Sequence, residues 1–476
     1  MKIKQILIVL SIVIFSSVIS YRLGVLAQIT GALKSIVEPG SMVTEASYVI
    51  FTDDNGNYFA RDGNSGEIVF SGTNAATVIQ SAINSLPTSN AREGLIYLKP
   101  GNYDMSTGIT IGKRTYLIGT SPETTILVAT ANMNSMITID RTNVVWTDWK
   151  IADLQVDMNN KNGDAIMSSD ADENGLQCRM ALQNLRLYNT NPGYCGINLT
   201  DVRGMDARNI RIRTPGGTGI KLRSSGGYNS GEGVWDNIII GGAGTSNTVG
   251  IDIAGKVLTN NETSASNIAL WSRIQLGGTM NYATGTIGLK IVDDFDITFY
   301  NLHAEGWETA VYIEGQNIAN HYVENIEFYH PVIKNDKNPD TGGDPNNVDW
   351  RFVNKVRGVR IYGGSSFPSV NGKTISCDSL GSWKNTRPNI FFGHLFEKRY
   401  NVDIANGATR IVQGLQENLN EGHLEYQTTT ASWTTYANPT GPVWDGRIVV
   451  VYSSGQPGYR MYTYANNDWR YQDLST

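Results

Sequence analysis

Asn184-Leu185-Arg186-Leu187, Gly196-Ile197-Asn198-Leu199, Asn209-Ile210-Arg211-Ile212, Gly219-Ile220-Lys221-Leu222: between residues 184 and 313 the chain alternates two short phrases. The first opens on a polar residue and recurs as Asn237-Ile238-Ile239-Ile240, Arg273-Ile274-Gln275-Leu276 and Asn301-Leu302-His303-Ala304. The second opens on a small residue and recurs as Gly250-Ile251-Asp252-Ile253, Gly288-Leu289-Lys290-Ile291 and Ala310-Val311-Tyr312-Ile313. Apolar residues at every second position predict short strands with one buried face. Repetition at roughly 20 to 40 residues predicts a solenoid, in which each coil buries its apolar face on its neighbours. Short strands separated by Gly, Asn and Ser, with no helical period, predict an all-β parallel β-helix.

Composition agrees. The 476 residues hold 50 glycines, only 17% are charged, and net charge is −6. No Lys/Arg cluster follows one face, which excludes the dense basic footprint of a nucleic-acid binder. The three cysteines, Cys178, Cys195 and Cys377, lack metal-ligand spacing. They are expected as small buried residues inside coils, and a Cys178–Cys195 bridge stays open. No metal or cofactor is expected.

Outward from the repeat, the chain divides into 1–34, 35–72, 73–412 and 413–476. In the first segment Lys2 and Lys4 precede an uncharged run from Gln5 to Tyr21, with Ile6, Leu10, Ile14 and Val18 along it. That is about one minimal membrane span of roughly 17 residues. It reads as a signal peptide cut after Ala27 or as a retained anchor, and Arg22 with the apolar stretch behind it favours retention. Either reading exports the rest of the chain. The second segment is a small β unit, with a hairpin turn at Asp54-Asn55-Gly56-Asn57. In the third, Ala75 to Leu86 carries an amphipathic helical stripe, capped by Thr73 or Asn74 and ended by Pro87. Placed before the first coil, it is a lid for the solenoid's open end. The fourth is a small β module rich in aromatics.

Gly72-Thr73-Asn74-Ala75-Ala76, Leu98-Lys99-Pro100-Gly101-Asn102-Tyr103 and Leu117-Ile118-Gly119 resemble the opening of the pectate-lyase-like right-handed β-helix superfamily, closest to its tailspike and surface-depolymerase branch. The Tyr48–Phe70 block resembles a preface found on β-helix proteins of archaea and their viruses. The resemblance spans roughly residues 48–412. It implies fold more than activity, since the superfamily holds lyases, hydrolases, epimerases and pure binders. For the tailspike branch it implies a homotrimer and a surface glycan or glycoprotein as partner. The polygalacturonase pattern is matched only at Asp293-Asp294, and no Gly-His-Gly exists.

Stacked coils turn the middle residue of each phrase into surface columns about 4.8 Å apart per step. One is expected to run Arg186, Arg211, Ile239, Gln275, His303, Glu327. The other is expected to run Asn198, Lys221, Asp252, Lys290, Tyr312, Arg360. Lys221, Asp252 and Lys290 are candidates for holding an anionic sugar, although alternating charge on a solvated ladder predicts the same pattern. Asp293, Asp294, His303 and Glu305 form a candidate catalytic cluster, since carboxylates about 5 to 9 Å apart can act on a glycosidic bond. Trp271, Tyr300 and Trp307 are candidates for stacking on sugar rings. Three functions follow: an exported spike or adhesin on a virion or cell surface, a polysaccharide lyase or glycoside hydrolase, or a structural surface protein.

Overall fold

The computed structural model describes residues 46–87, 94–112, 114–140, 146–168, 177–202, 204–213, 217–224, 232–243, 246–257, 263–264, 269–278, 284–315, 323–334, 346–356, 358–367, 373–377, 389–396, 402–404, 409–412, 424–429, 448–453, 458–465 and 468–474. The fold is a parallel β-helix. One face is a sheet of eleven short parallel strands, from Ile109–Ile111 to Val402–Ile404. Eleven strands at about 4.8 Å per step span about 48 Å. Register is one to one, so Ile166, Ile197, Ile220, Ile251, Leu289, Val311, Trp350 and Ile375 fall in one line. All eight are buried inside the coils.

The other face carries longer strands. Gln177–Tyr188, Met205–Arg213, Gly233–Ala243, Ala269–Gly278 and Phe295–Glu305 are 9 to 12 residues each. Each first phrase of the sequence is therefore the second half of a longer strand, bent at the phrase's polar residue. That residue is left-handed in coil after coil: Asp153 (φ 57°), Asn184 (51°), Asn209 (56°), Asn237 (55°), Arg273 (54°), Asn301 (54°) and His330 (53°), followed by Gly363 and Gly393. Asn and Asp visit this region most readily, because a short polar side chain can bond locally. Here Asn184 Nδ2 donates to Asp153 Oδ1 (2.8 Å) and Asn237 Nδ2 to Asn209 Oδ1 (2.8 Å). Arg273 instead donates Nε to Asp236 Oδ1 (2.8 Å), which holds that carboxyl below its ordinary range.

The corner also breaks the alternation. Along Ala269–Gly278, residues 269 and 271 point in, 272 and 273 both point out, and 274 and 276 point in again. The inward side chains of the first halves make an aromatic stack: Trp235 on Trp271 (4.5 Å between centroids), Trp271 on Phe299 (5.8 Å) and Phe299 on Phe328 (5.0 Å). The small residue opening each second phrase has a matching cause. A Cβ at Gly196 would lie 2.7 Å from Ile212 Cγ2, and one at Gly219 would lie 2.8 Å from Ile240 Cγ2. The long strands pack against bare backbone at these points.

Helix α1 (Ala75–Asn84) closes the first coil, with Asn74 as its N-cap and Ala75, Ala76, Val78, Ile79, Ala82 and Ile83 buried. Gln80 completes the seal, because its amide accepts from Thr110 N (2.7 Å) and donates to Thr110 O (3.1 Å). Those backbone groups lie on the first short strand, whose open edge would otherwise be a pairing site. Tyr48–Thr52 pairs in parallel with Gly94–Leu98, so the β preface continues the long-strand sheet. At the far end Thr409–Val412 pairs antiparallel with Leu424–Thr429, and three further strands extend that sheet to Leu474. Cys195 is buried and free, so the Cys178–Cys195 bridge is not formed. The expected span with Ile6, Leu10, Ile14 and Val18 lies outside the described residues. Among the described residues no helix is long and apolar enough to cross a membrane.

Near the last coils a buried polar chain is fully ordered. Trp350 Nε1 donates to Ser366 Oγ (3.0 Å), Ser366 Oγ lies 2.8 Å from His394 Nε2, and His394 Nδ1 lies 2.7 Å from Gly363 O. This fixes a neutral imidazole that donates from Nδ1 and accepts at Nε2. Burial depresses the His394 pKa to about 4.

Two outcomes follow. Asn237→Val should lower stability by about 2 kcal/mol, because a β-branched residue is strained at φ 55°, whereas Asn237→Gly should lose less than half of that in urea unfolding. For His394 the unfolded chain binds the proton more readily, so its contribution is complete above pH 6.5 and is lost as pH falls toward 4. The loss should reach about 3 kcal/mol, and His394→Asn should flatten that slope.

Candidate functional site

The second surface column forms on the short-strand face. Asn198, Lys221, Asp252, Lys290 and Tyr312 are in register on successive coils. The sixth member is Arg351, not Arg360, because Val348–Asn354 is the strand that follows Thr309–Gly315. Arg360 lies on the other face, in register with Glu327. The first column also ends differently. Gln275 and His303 are in register, but the next residue is Val332. Glu327 instead follows Thr298, in the first half of its coil.

Electrostatics on the short face are uneven. Asp252 is largely buried, and its carboxylate pairs with Arg223 rather than with the two flanking lysines. Lys290 Nζ and Arg351 Cζ each lie 5.8 Å from the centroid of the Tyr312 ring. In register these two cations occupy the coils on either side of Tyr312. The Tyr312 hydroxyl donates to Glu314 Oε2 (2.9 Å). Lys221, Lys290 and Arg351 thus recur on every second coil, about 9.6 Å apart. Four insertions read from the sequence, 224–233, 254–265, 277–286 and 335–347, each connect a short-face strand with a long-face strand. Loops on a rigid scaffold are where binding concentrates.

The expected catalytic cluster does not assemble. Asp293 and Asp294 are buried at the corner between the short strand Ile287–Val292 and the long strand Phe295–Glu305. Asp293 is left-handed there (φ 49°), and Asp294 Oδ1 accepts from Phe295 N (2.8 Å). His303 and Glu305 lie past the Asn301 bend, with Nε2 and Oε2 3.4 Å apart on the outer surface. The first half of the strand separates the two pairs by roughly 20 Å at about 3.3 Å per residue. Trp271 and Trp307 are not sugar platforms either. Trp271 lies inside the aromatic stack, and Trp307 is buried with Nε1 on Leu276 O (3.0 Å). Tyr300 alone of the three is exposed, at 40%. Among the described residues no group of three or more His, Cys, Asp or Glu could hold a metal ion.

No family model matches the chain, and no curated protein matches it. Solved structures with a similar course include the A-module of mannuronan C-5 epimerase AlgE6 of Azotobacter vinelandii. It is 14% identical, with 71% of this chain and 95% of that one covered, at a TM-score of 0.43. The tailspike gp42 of Acinetobacter phage vb_AbaP_AS12 is 12% identical over 83% of this chain and 62% of that one, at 0.41. The catalytic domain of a GH87 α-1,3-glucanase is 13% identical over 70% and 65%, at 0.37. These likenesses are distant, and the functional reading below rests on the chain's own surface.

Trp271→Ala separates the two roles for that residue. Loss of a core indole should cost about 3–5 kcal/mol, read as a fall in the urea midpoint. A ring on the surface would change stability by less than about 0.5 kcal/mol.

Proposed function

We propose that this is an exported surface adhesin that holds an acidic glycan along its short-strand face. The observation that supports it best is the Tyr312 ring with Lys290 and Arg351 on the coils to either side. A ladder that only had to stay solvated would alternate charge sign. Here two cations are spaced by an aromatic ring, with no carboxylate between them in the column. A glycan with an acid group on alternate sugars presents charge at a repeat close to that of Lys221, Lys290 and Arg351. The ring adds an apolar patch between the charges. Each solvated charge contact contributes at most about 1 kcal/mol, so affinity would come from several contacts along a stiff scaffold. Display of several copies, as in a homotrimer on a virion or an anchored cell-surface protein, would multiply them. A glycan-cleaving enzyme is the weaker reading, since Asp293 and Asp294 stand apart from His303 and Glu305.

Binding of polygalacturonate, heparin and neutral dextran, measured by biolayer interferometry in low and high salt, tests this. The acidic chains should bind and the dextran should not bind this face, with affinity falling as salt rises. Lys290→Ala and Arg351→Ala should each weaken acidic-chain binding about fivefold, the equivalent of about 1 kcal/mol. Absence of acidic-chain binding at low salt would sink the reading, and release of shortened or unsaturated products would replace it with the enzyme.

A further inference from the structure

The opposite face carries a second feature that the acidic-glycan reading does not use. Tyr300, Tyr329 and Tyr362 are in register on three successive coils, just before the left-handed corner. They point outward, and their rings stack at 4.7 Å (interplanar 11°) and 4.8 Å (15°). A continuous stack would offer only ring edges to solvent. This one begins abruptly, because the residue in register with Tyr300 on the preceding coil is Ser272. One face of Tyr300 lies on Tyr329, and the other opens over a serine.

The Tyr300 ring also borders a groove of about 380 Å³ centred on Thr298, lined by Leu270, Asp296, Thr298, Tyr300, Asn325 and Glu327 among others. Leu270 is 38% exposed, so the floor is apolar next to the ring. Both charged lining residues are carboxylates held in place by the protein. Glu327 accepts from the Tyr329 hydroxyl (3.0 Å) and from Arg360 Nη1 (2.9 Å). Asp296 Oδ1 accepts from Asn325 Nδ2 (3.0 Å). Burial against its neighbours and the bond to Glu327 push the Tyr329 hydroxyl up to about 12, so it remains a donor at neutral pH.

We propose that this groove is a binding site for a neutral oligosaccharide, with the C–H face of one hexopyranose unit on the open face of Tyr300 and the following units running over Leu270 and Thr298, where their hydroxyls donate to Asp296. The chemistry selects against the alternatives. An acidic sugar would bring its charge against two carboxylates. A basic peptide would find Glu327 already paired with Arg360. A sugar ring presents an apolar face for Tyr300 and Leu270 and a rim of hydroxyl donors for the oriented acceptors, in the mixture typical of ligand sites. This site is separate from the acidic-glycan face in residues and in charge, and the two readings stand or fall independently.

Titration of the full chain with neutral hexaoses (maltohexaose, cellohexaose, chitohexaose), followed by saturation-transfer NMR and calorimetry, tests the proposal. At least one hexaose should bind, with saturation transfer to the C–H protons of one ring. Tyr300→Ala should weaken it at least tenfold, while Tyr300→Phe, which keeps the ring, should bind within about twofold. Ser272→Phe extends the stack by one ring, covers the open face and should abolish binding, whereas Ser272→Ala, which removes only the Ser272 Oγ donor to Asp236 Oδ1 (2.5 Å), should bind within about twofold of the parent. Lys290→Ala on the other face should have no effect. No binding of any hexaose at millimolar concentration would overturn the proposal. So would undiminished binding in Tyr300→Ala or Ser272→Phe, or competition by an oligo-lysine peptide but not by a hexaose.

Discussion

In-register stacking is the constraint on which the rest of this molecule depends. Every outward side chain lies one strand spacing, about 4.8 Å, from its equivalents on two neighbouring coils. Like charges in such a column repel and opposite ones pair, so the outer surface becomes a set of one-dimensional ladders. The long face resolves its ladders by pairing, as in Arg186 with Glu123, Arg208 with Asp206, Arg273 with Asp236 and Arg360 with Glu327. The short face resolves Asp252 in the same way, through Arg223, and places an aromatic ring, Tyr312, between Lys290 and Arg351 in the column.

The left-handed corner is the second consequence of stacking. A strand of 11 residues cannot wrap round a coil without a bend, and a bend that recurs at one position must use a conformation each coil can adopt. Asn, Asp and Gly meet that demand, and the Asn and Asp side chains also bond along the column, as Asn184 does to Asp153 and Asn237 to Asn209. The cost at Arg273 and His330, which lack that local bond to the corner residue before them, is offset by neighbours that hold the conformation on both sides. The same logic explains Asp293. A carboxylate at a tight, buried corner is a conformational choice before it is a chemical one.

How much of this was legible in the sequence follows from the alternation rule and its failure. Period-two phrases with a small residue in front mark the short strands, and they align Asn198, Lys221, Asp252, Lys290 and Tyr312 correctly. The polar residue opening each first phrase is visible, but nothing in a linear pattern says that it is left-handed. That conformation adds one outward position, so parity before the corner is opposite to parity after it. Carried backward through Arg273, the alternation places Trp271 outside, whereas it lies in the core. Asn325-Ile326-Glu327-Phe328 imitates a first phrase, yet its Asn occupies a different left-handed corner, in register with Asp296. That misplaced phrase moved Glu327 from one half-coil to the other, while Arg360, expected on the short face, lies on the long one and leaves the short-face position to Arg351.

The parity break also explains where an aromatic platform can exist on such a scaffold. The corner leaves two consecutive outward residues in each coil, such as Ser272 with Arg273 and Tyr300 with Asn301. The second of each pair is committed to the bend. The first is free of it, and on successive coils it stacks on its own equivalents. If every coil placed an aromatic there, each ring would be covered on both faces and the column would be structural. A ring face becomes available only where the column changes from small to large, and within the described residues that step falls between Ser272 and Tyr300. The groove beside Leu270, Thr298 and Glu327 lies at the same step. Position along the solenoid therefore decides the matter, because the same tyrosine one coil later, at Tyr329, is held between two rings and bonds Glu327 instead.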